Sequence, residues 1–362
     1  MQKSDGMNYA PVSAGKTERA AAPGEFYFSV IGLDHGHIYG MTNGLLESGA
    51  EAALVYDPDP EKLASFIERY PAFRRARSEE EVIDDRNASL IASAIRPDKR
   101  AALGIRVMSS GKDYFSDKPG MLSLEETEAV GRCCAKTGRR YFIYFSERIH
   151  VEGAVCAEQL IREGAIGPVI HMDILAPHRM NPPERPDWFY DQRLSGGIIT
   201  DLGSHQIEQF LTFASAESAV IQSSRIANYH IPRHPDFRDF GDCTLTADNG
   251  ATCYFRVDWF TPPGLGAWGD GRAFIIGTDG YIEIRKYIDI AFSGEGDHVY
   301  LVDKDGERRI EARGKYGFKF FPALIRDCID RTETAMTQRH AIEAMRLAIE
   351  AQQRAELVFP LR

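Results

Sequence analysis

No run of apolar residues in this sequence approaches the roughly 20 that a membrane-spanning helix requires, so no membrane partner is expected. Basic residues are in deficit. Against 53 Asp and Glu stand 43 Lys and Arg, a formal net charge of −10. With no basic stripe, that balance argues against nucleic acid as a partner, while leaving room for a local cationic pocket. Cysteine is sparse, with six scattered at positions 133, 134, 156, 243, 253 and 328. No C-x-x-C occurs, and His171, His178, His230 and His234 follow no ligand spacing, so no metal is expected. Residues 1–24 are polar and rich in small side chains, with no apolar segment of the kind a secretion signal needs. They are expected to form a flexible arm on a cytoplasmic protein with reduced thiols. Repeats are absent, and low complexity is confined to that arm.

What is present is a chain of 362 residues, too long for one small core, so two domains are expected. Short apolar runs at 26–31, 52–56, 89–94, 113–115 and 141–145 alternate with helical patterns at 38–46, 61–70, 99–109 and 123–137. Repeated strand–helix units with buried strands predict an α/β domain with a doubly wound parallel sheet over 25–146. Beyond 146 the pattern changes. Helices are predicted at 151–163 and 204–213, then strand signals succeed one another from 219 to about 302, the last at 273–276, 281–284, 287–290 and 299–302. That succession predicts an α+β domain over 147–362, closing with helices at 322–331 and 339–357.

Three stretches carry chemistry. The first is FYFSVIGLDHGHIYGM, Phe26 to Met41. A buried strand, a glycine break and an amphipathic helix form the layout of a dinucleotide-binding turn. Counting from Gly32, however, Asp34 and His37 stand where G-x-G-x-x-G has its second and third glycines. Asp57 ends the next strand, 25 positions after Gly32. An acid there accepts a ribose 2′-hydroxyl and repels a 2′-phosphate, favouring NAD, although nearby Lys62 leaves NADP open. An ordinary strand–helix turn, with Asp57 capping the turn at Pro58, is the alternative. The second stretch is Asp117-Lys118-Pro119 at a strand end, where ligands of open α/β sheets sit. The alternative is a solvated surface lysine. The third is GGIITDLGSH, residues 196–205. Asp201 and His205 share a face at helical spacing, and a carboxylate beside an imidazole sets its tautomer and raises its basicity. A helix-capping Asp201 and an ordinary His205 are the alternative.

Together the glycine turn, the D-K-P element and the G-G-x-x-x-D-x-G-x-H stretch resemble the glucose–fructose oxidoreductase/inositol dehydrogenase (Gfo/Idh/MocA) family, over most of the chain from Phe26 to the last helix. The resemblance implies an N-terminal Rossmann domain and a C-terminal α+β domain with an open, mostly antiparallel sheet. It also implies a nicotinamide cofactor and a sugar, inositol or related polyol as substrate. A homodimer or homotetramer is implied too, a second subunit covering the open sheet. The family's lysine, aspartate and histidine fall on Lys118, Asp201 and His205. On this reading His205 takes the hydroxyl proton, Asp201 orients it, and Lys118 donates to the developing alkoxide. Cofactor contacts are expected from Gly32, Asp34, His35, Gly36, His37, Asp57, Arg96, Pro97, Lys118 and Pro119. Asp34 turns outward, and His35 or His37 offers a ring N–H to phosphate. Substrate contacts are expected from Tyr144, Glu147, Arg148, His178, Arg179 and Trp188, with Tyr190, Trp259, Trp268 and Asp270 beyond them. Two other readings share these residues: a glycosidase working through transient oxidation by NAD, and a ligand-binding relic without turnover.

Overall fold

A computed structural model describes residues 6–13, 17–180 and 185–359; residues 1–5 and 14–16 of the expected arm lie outside it. The chain divides into two compact units. One comprises Met7–Tyr144 and Gly317–Ile342; the other holds Gly6, Phe145–Tyr316 and the chain from Glu343 onward. A single cut at 146 therefore misses the return of 317–342.

In the first unit six parallel strands, β1 (Tyr27–Ile31), β2 (Glu51–Tyr56), β3 (Arg74–Arg75), β4 (Ala88–Ser93), β5 (Asp113–Asp117) and β6 (Tyr141–Tyr144), lie in the order β3-β2-β1-β4-β5-β6. The order reverses direction between β1 and β4, and the crevice beyond their C-terminal ends is where this topology binds ligands. The connecting helices are α1 (His37–Glu47), α2 (Pro60–Arg69), α3 (Glu79–Asp84), α4 (Pro97–Ser109) and α5 (Leu124–Thr137). Their ends follow local chemistry. Asp59 caps α2 by accepting from the Glu61 and Lys62 N–H groups, with Pro60 at the first position. Ser123 caps α5, and Gly138 ends it at φ +66°.

The returning segment completes this core. Phe320 and Phe321, on the helix Phe320–Asp330, pack their rings 5.9 and 6.3 Å from that of Phe115. The Phe321 ring fills the space a Cβ on Gly44 would need, and Gln338 accepts the Tyr141 N–H at 2.7 Å. Over its described residues the arm is laid along α1. Asn43 donates to the Ala10 carbonyl at 3.3 Å, the Ser13 N–H donates to Glu47 at 3.2 Å and the Ala20 N–H to the Ser48 carbonyl at 2.8 Å.

The second unit begins with α6 (Ser146–Ile149) and α7 (Glu152–Arg162) and continues through β7 (Val169–Pro177), α8 (Gln192–Ser195) and α9 (Ser204–Phe213). There follow β8 (Ala219–Ala227), β9 (Phe240–Ala247), β10 (Thr252–Asp258), β11 (Arg272–Gly277), β12 (Gly280–Arg285), β13 (His298–Asp303) and β14 (Gly306–Glu311). The chain closes with α10, the Phe320–Asp330 helix already met, α11 (Gln338–Arg354) and β15 (Glu356–Val358). The nine strands order as β14-β13-β12-β11-β7-β10-β9-β8-β15. β7 runs parallel to β10 and β15 to β8; the remaining pairs are antiparallel, so the sheet is mixed. Alternation sets its two faces: Met172, Ile174, Cys253, Phe255, Ala273 and Ile275 are buried, while His171, Asp173, Tyr254 and Phe274 between them are only half-buried. The expected strand at 287–290 is instead a loop holding one isolated bridge, Asp289 to Ser293.

Candidate functional site

At the end of β1, Gly32 turns the chain at φ +83°, and a Cβ there would stand 2.6 Å from that of Ile95. Only glycine fits such a position without strain. Asp57, buried at the end of β2, braces the turn: its carboxylate accepts the Leu33 N–H at 2.6 Å and the Asp59 N–H at 2.8 Å. A carboxylate offers about four acceptor positions, so two remain for a ligand. Asp34 is held by two partners. One oxygen takes the Lys62 ammonium at 2.7 Å, the other the Arg96 N–H at 2.8 Å. The Arg96 guanidinium is held in turn by Asp98, and Pro97 occupies the first position of α4. Gly36 caps α1, where a Cβ would lie 2.3 Å from the Met7 carbonyl oxygen.

The two histidines of the turn tie it to the lysine–proline element. His37 Nδ1 bonds to Asp117 Oδ1 at 2.8 Å, and His35 Nδ1 lies 3.3 Å from Oδ2. Arg100 donates to Oδ2 at 3.0 Å, and its other nitrogens reach the carbonyls of Ile95, Lys118 and Pro119. The Lys118 N–H also donates to Asp117, at 2.8 Å. Burial alone would push the Asp117 carboxyl up, but the Arg100 guanidinium, and then His37, hold it well below the usual carboxylate range. Burial, with the neighbouring His37, keeps His35 far below the usual imidazole value and so neutral. Its Nδ1 accepts the His37 N–H at 3.2 Å, which places the ring proton on Nε2. His35, His37 and Asp117 bring ligand atoms within 4.8 Å of one another, the spacing of a metal set. Yet this carboxylate already takes a guanidinium, a backbone N–H and an imidazole, and the guanidinium disfavours a further cation. Lys118 itself is buried at this strand end.

In the second unit the glycine-rich stretch forms a π-helical turn, Ile199–Gly203, running directly into α9. Such turns recur at functional sites because one extra residue re-aims the side chains that follow. Asp201 is half-buried in the turn, and the Ser204 hydroxyl donates to its carbonyl at 3.1 Å. His205 is buried on α9, its ring 6.2 Å from that of Phe145. Around Glu147 of α6 a buried charged group assembles. The Lys286 ammonium donates to Glu147 at 2.9 Å and to Gln209 at 2.7 Å. Gln206 donates to Glu147 at 3.0 Å, and His178 Nε2 stands 3.7 Å away. Burial alone would raise the Glu147 carboxyl, but Lys286, His205 and His178 together hold it far below its usual value.

The other expected substrate contacts sort differently. His178 sits in an aromatic slot, 4.7 Å from the Trp268 ring and 5.5 Å from that of Trp259. Trp188 is half-buried against Phe189, and Tyr190 stacks on His234 at 3.9 Å. Tyr144 is a correction. It lies in the first unit's core, edge-on to His37 and Phe115, because it closes the buried strand β6. The Arg148 guanidinium is engaged by Glu208 and Glu158. Arg179 fastens the carbonyls of Leu265 and Ala267, each at 2.7 Å, and Asp270 pairs with Arg272. The sequence reading missed Arg100, Lys286, Gln206 and Gln209. None lies in a short motif, and each acts on a partner set by the fold.

With this geometry in view, similarity to known proteins can be weighed. Residues 27–145 match the family profile described as an oxidoreductase family with an NAD-binding Rossmann fold. Residues 155–283 match the GFO/IDH/MocA C-terminal domain. A solved structure from Erwinia carotovora atroseptica, described no further than as an oxidoreductase, is 48% identical with a TM-score of 0.89, covering 92% of this chain and 100% of that one. The chain is also similar to scyllo-inositol 2-dehydrogenase (NAD(+)) of Bacillus subtilis, 26% identical over 264 residues, 71% of this chain and 72% of that protein. Similarity to D-xylose dehydrogenase of Paenarthrobacter nicotinovorans is 24% over 155 residues, 40% of this chain and only 38% of that enzyme's length.

Proposed function

The chain belongs to the Gfo/Idh/MocA oxidoreductase family, and from that premise we propose that it transfers hydride between NAD and a secondary hydroxyl of a sugar, inositol or related polyol. The residues of the first unit suit such a cofactor. Gly32 leaves the turn clear, Asp57 keeps acceptor positions for a ribose diol, and Asp34 is neutralised away from the turn. His35, neutral with its proton on Nε2, supplies a donor for phosphate in place of the missing glycine. The bound nicotinamide supplies the hydride acceptor.

The observation that carries the reading is the lock on Asp117. Arg100, His37 and the Lys118 N–H fix the backbone on which Lys118 stands to the turn that receives the nucleotide. Lys118 thus serves as donor to the alkoxide that develops as hydride leaves. His205 takes the hydroxyl proton, with Asp201 orienting it. His178 and Trp188 contribute to the polyol site. Supporting the substrate class are two relatives named for inositol and for xylose.

One preformed donor at a developing oxyanion is worth about 3–4 kcal/mol. Lys118→Met is therefore expected to lower turnover roughly 100- to 1,000-fold, measured as NADH formation with a panel of inositols and pentoses. NADH binding followed by fluorescence should persist. Wild-type turnover in Lys118→Met, or cleavage of aryl glycosides without net NADH, would sink this assignment.

A further inference from the structure

We propose that Asp34, the acid standing where the fingerprint has a glycine, makes this chain select NAD over NADP by occupying Lys62. The inference rests on the nicotinamide reading above. Discrimination against NADP turns on its 2′-phosphate, which carries about 1.5 to 2 negative charges and needs a cation. Beside Asp34 lie two cations, Lys62, on the first turn of α2, and Arg96, at the start of α4. Both are paired with carboxylates. Lys62 Nζ lies 2.7 Å from Asp34, and the Nε and Nη2 edge of the Arg96 guanidinium forks onto Asp98.

Asp34 is also not free to yield. Its second oxygen accepts the Arg96 N–H at 2.8 Å, so the connection from β4 to α4 holds the carboxylate in place whatever Lys62 does. Asp34, Asp57 and Asp59 together outweigh the partial burial of Lys62 and hold its ammonium above the usual value. To recruit Lys62, a 2′-phosphate would have to break its pair with Asp34. It would then sit beside that carboxylate and Asp57, which Leu33 and Asp59 fix by their N–H groups. A ribose diol asks for no cation and meets only the acceptor it needs. Asp34 is thus a specificity-determining residue one step behind the ribose, acting through Lys62.

Calorimetric titration of the full-length protein with NADH and with NADPH tests this. Wild type should bind NADH at least about tenfold more tightly. Asp34→Asn keeps an acceptor for the Arg96 N–H but releases Lys62. It should tighten NADPH about tenfold while moving NADH less than about threefold. Lys62→Met alone should leave the preference unchanged, and in the Asp34→Asn background it should abolish the gain. An unchanged NADPH to NADH ratio in Asp34→Asn, or a gain that survives loss of Lys62, overturns the inference while leaving the hydride-transfer reading intact. If wild type binds neither nucleotide, that reading fails and takes this one with it.

Discussion

Replacing Lys286 by methionine should convert a stabilising buried pair into a pH-dependent defect. The Lys286 ammonium is 1% exposed and bonds to Glu147 and Gln209. Methionine keeps the length and removes the charge, leaving the Glu147 carboxylate with the neutral Gln206 and two imidazoles. Removing one member of a buried ion pair costs about 3–5 kcal/mol, because the remaining charge stays desolvated. The pH dependence separates this account from a mere packing loss. In the wild type the folded pKa of Glu147 is depressed. Its contribution is then full above the unfolded value of about 4.3 and is lost only as pH falls through the folded value. The pair adds no slope between about pH 5 and 8. Without Lys286, burial dominates and the folded pKa rises above the unfolded one, so the penalty grows with pH, by at most about 1.4 kcal/mol per unit. Urea unfolding of both proteins at pH 5 and pH 8 should show the larger deficit at pH 8, approaching about 3–5 kcal/mol. Adding Glu147→Gln should recover part of it. A deficit equal at the two pH values, or below about 1 kcal/mol at pH 8, would refute the reasoning.

Two further substitutions probe the nucleotide-binding unit. Gly32→Ala places a methyl 2.6 Å from Ile95 at a positive φ, so it should lower the melting temperature and weaken NADH binding in the same titration. Unchanged NADH affinity would show that the turn does not shape the nucleotide site. Asp117→Asn strands the buried Arg100 guanidinium, and urea unfolding should report a loss of about 3–5 kcal/mol. A loss under about 1 kcal/mol would mean that the carbonyls of Ile95, Lys118 and Pro119 satisfy Arg100 unaided.

Local periodicity was enough to read β1, β2, β4, β5 and β6, because buried parallel strands are apolar runs bounded by glycine, proline and acid turns. It also put Lys118 at a strand end and Asp201 and His205 on one helical stretch. It could not see β14, whose sequence Gly-Glu-Arg-Arg-Ile-Glu is that of a charged edge strand with no apolar alternation. Nor could it find β15, which reads as the tail of the last helix. Tyr144 and Arg148 have the chemistry of sugar ligands, but their surroundings are set by Phe115, His37, Glu208 and Glu158, partners that no local pattern announces. For the same reason the anomaly of Asp34 and His37 was visible in the sequence and its resolution was not. Lys62 and Arg96 lie 28 and 62 positions from Asp34, and Asp117 lies 80 from His37.

The first unit closes its core with residues 317–342, and that has a consequence for the order in which the molecule is made. When Tyr144 leaves the ribosome, the ring that fills the space beside Gly44 and the amide that accepts the Tyr141 N–H do not yet exist. Most of the strand-rich unit, Phe145–Tyr316, is synthesised first. At roughly 5–20 residues per second the interval is on the order of 10–40 s. Through that time α1 and β6 present an uncovered apolar groove, and a fragment cut at 146 would present it permanently. The nucleotide-binding half of this protein is thus the first to be started, yet its core waits for most of the other unit to be made.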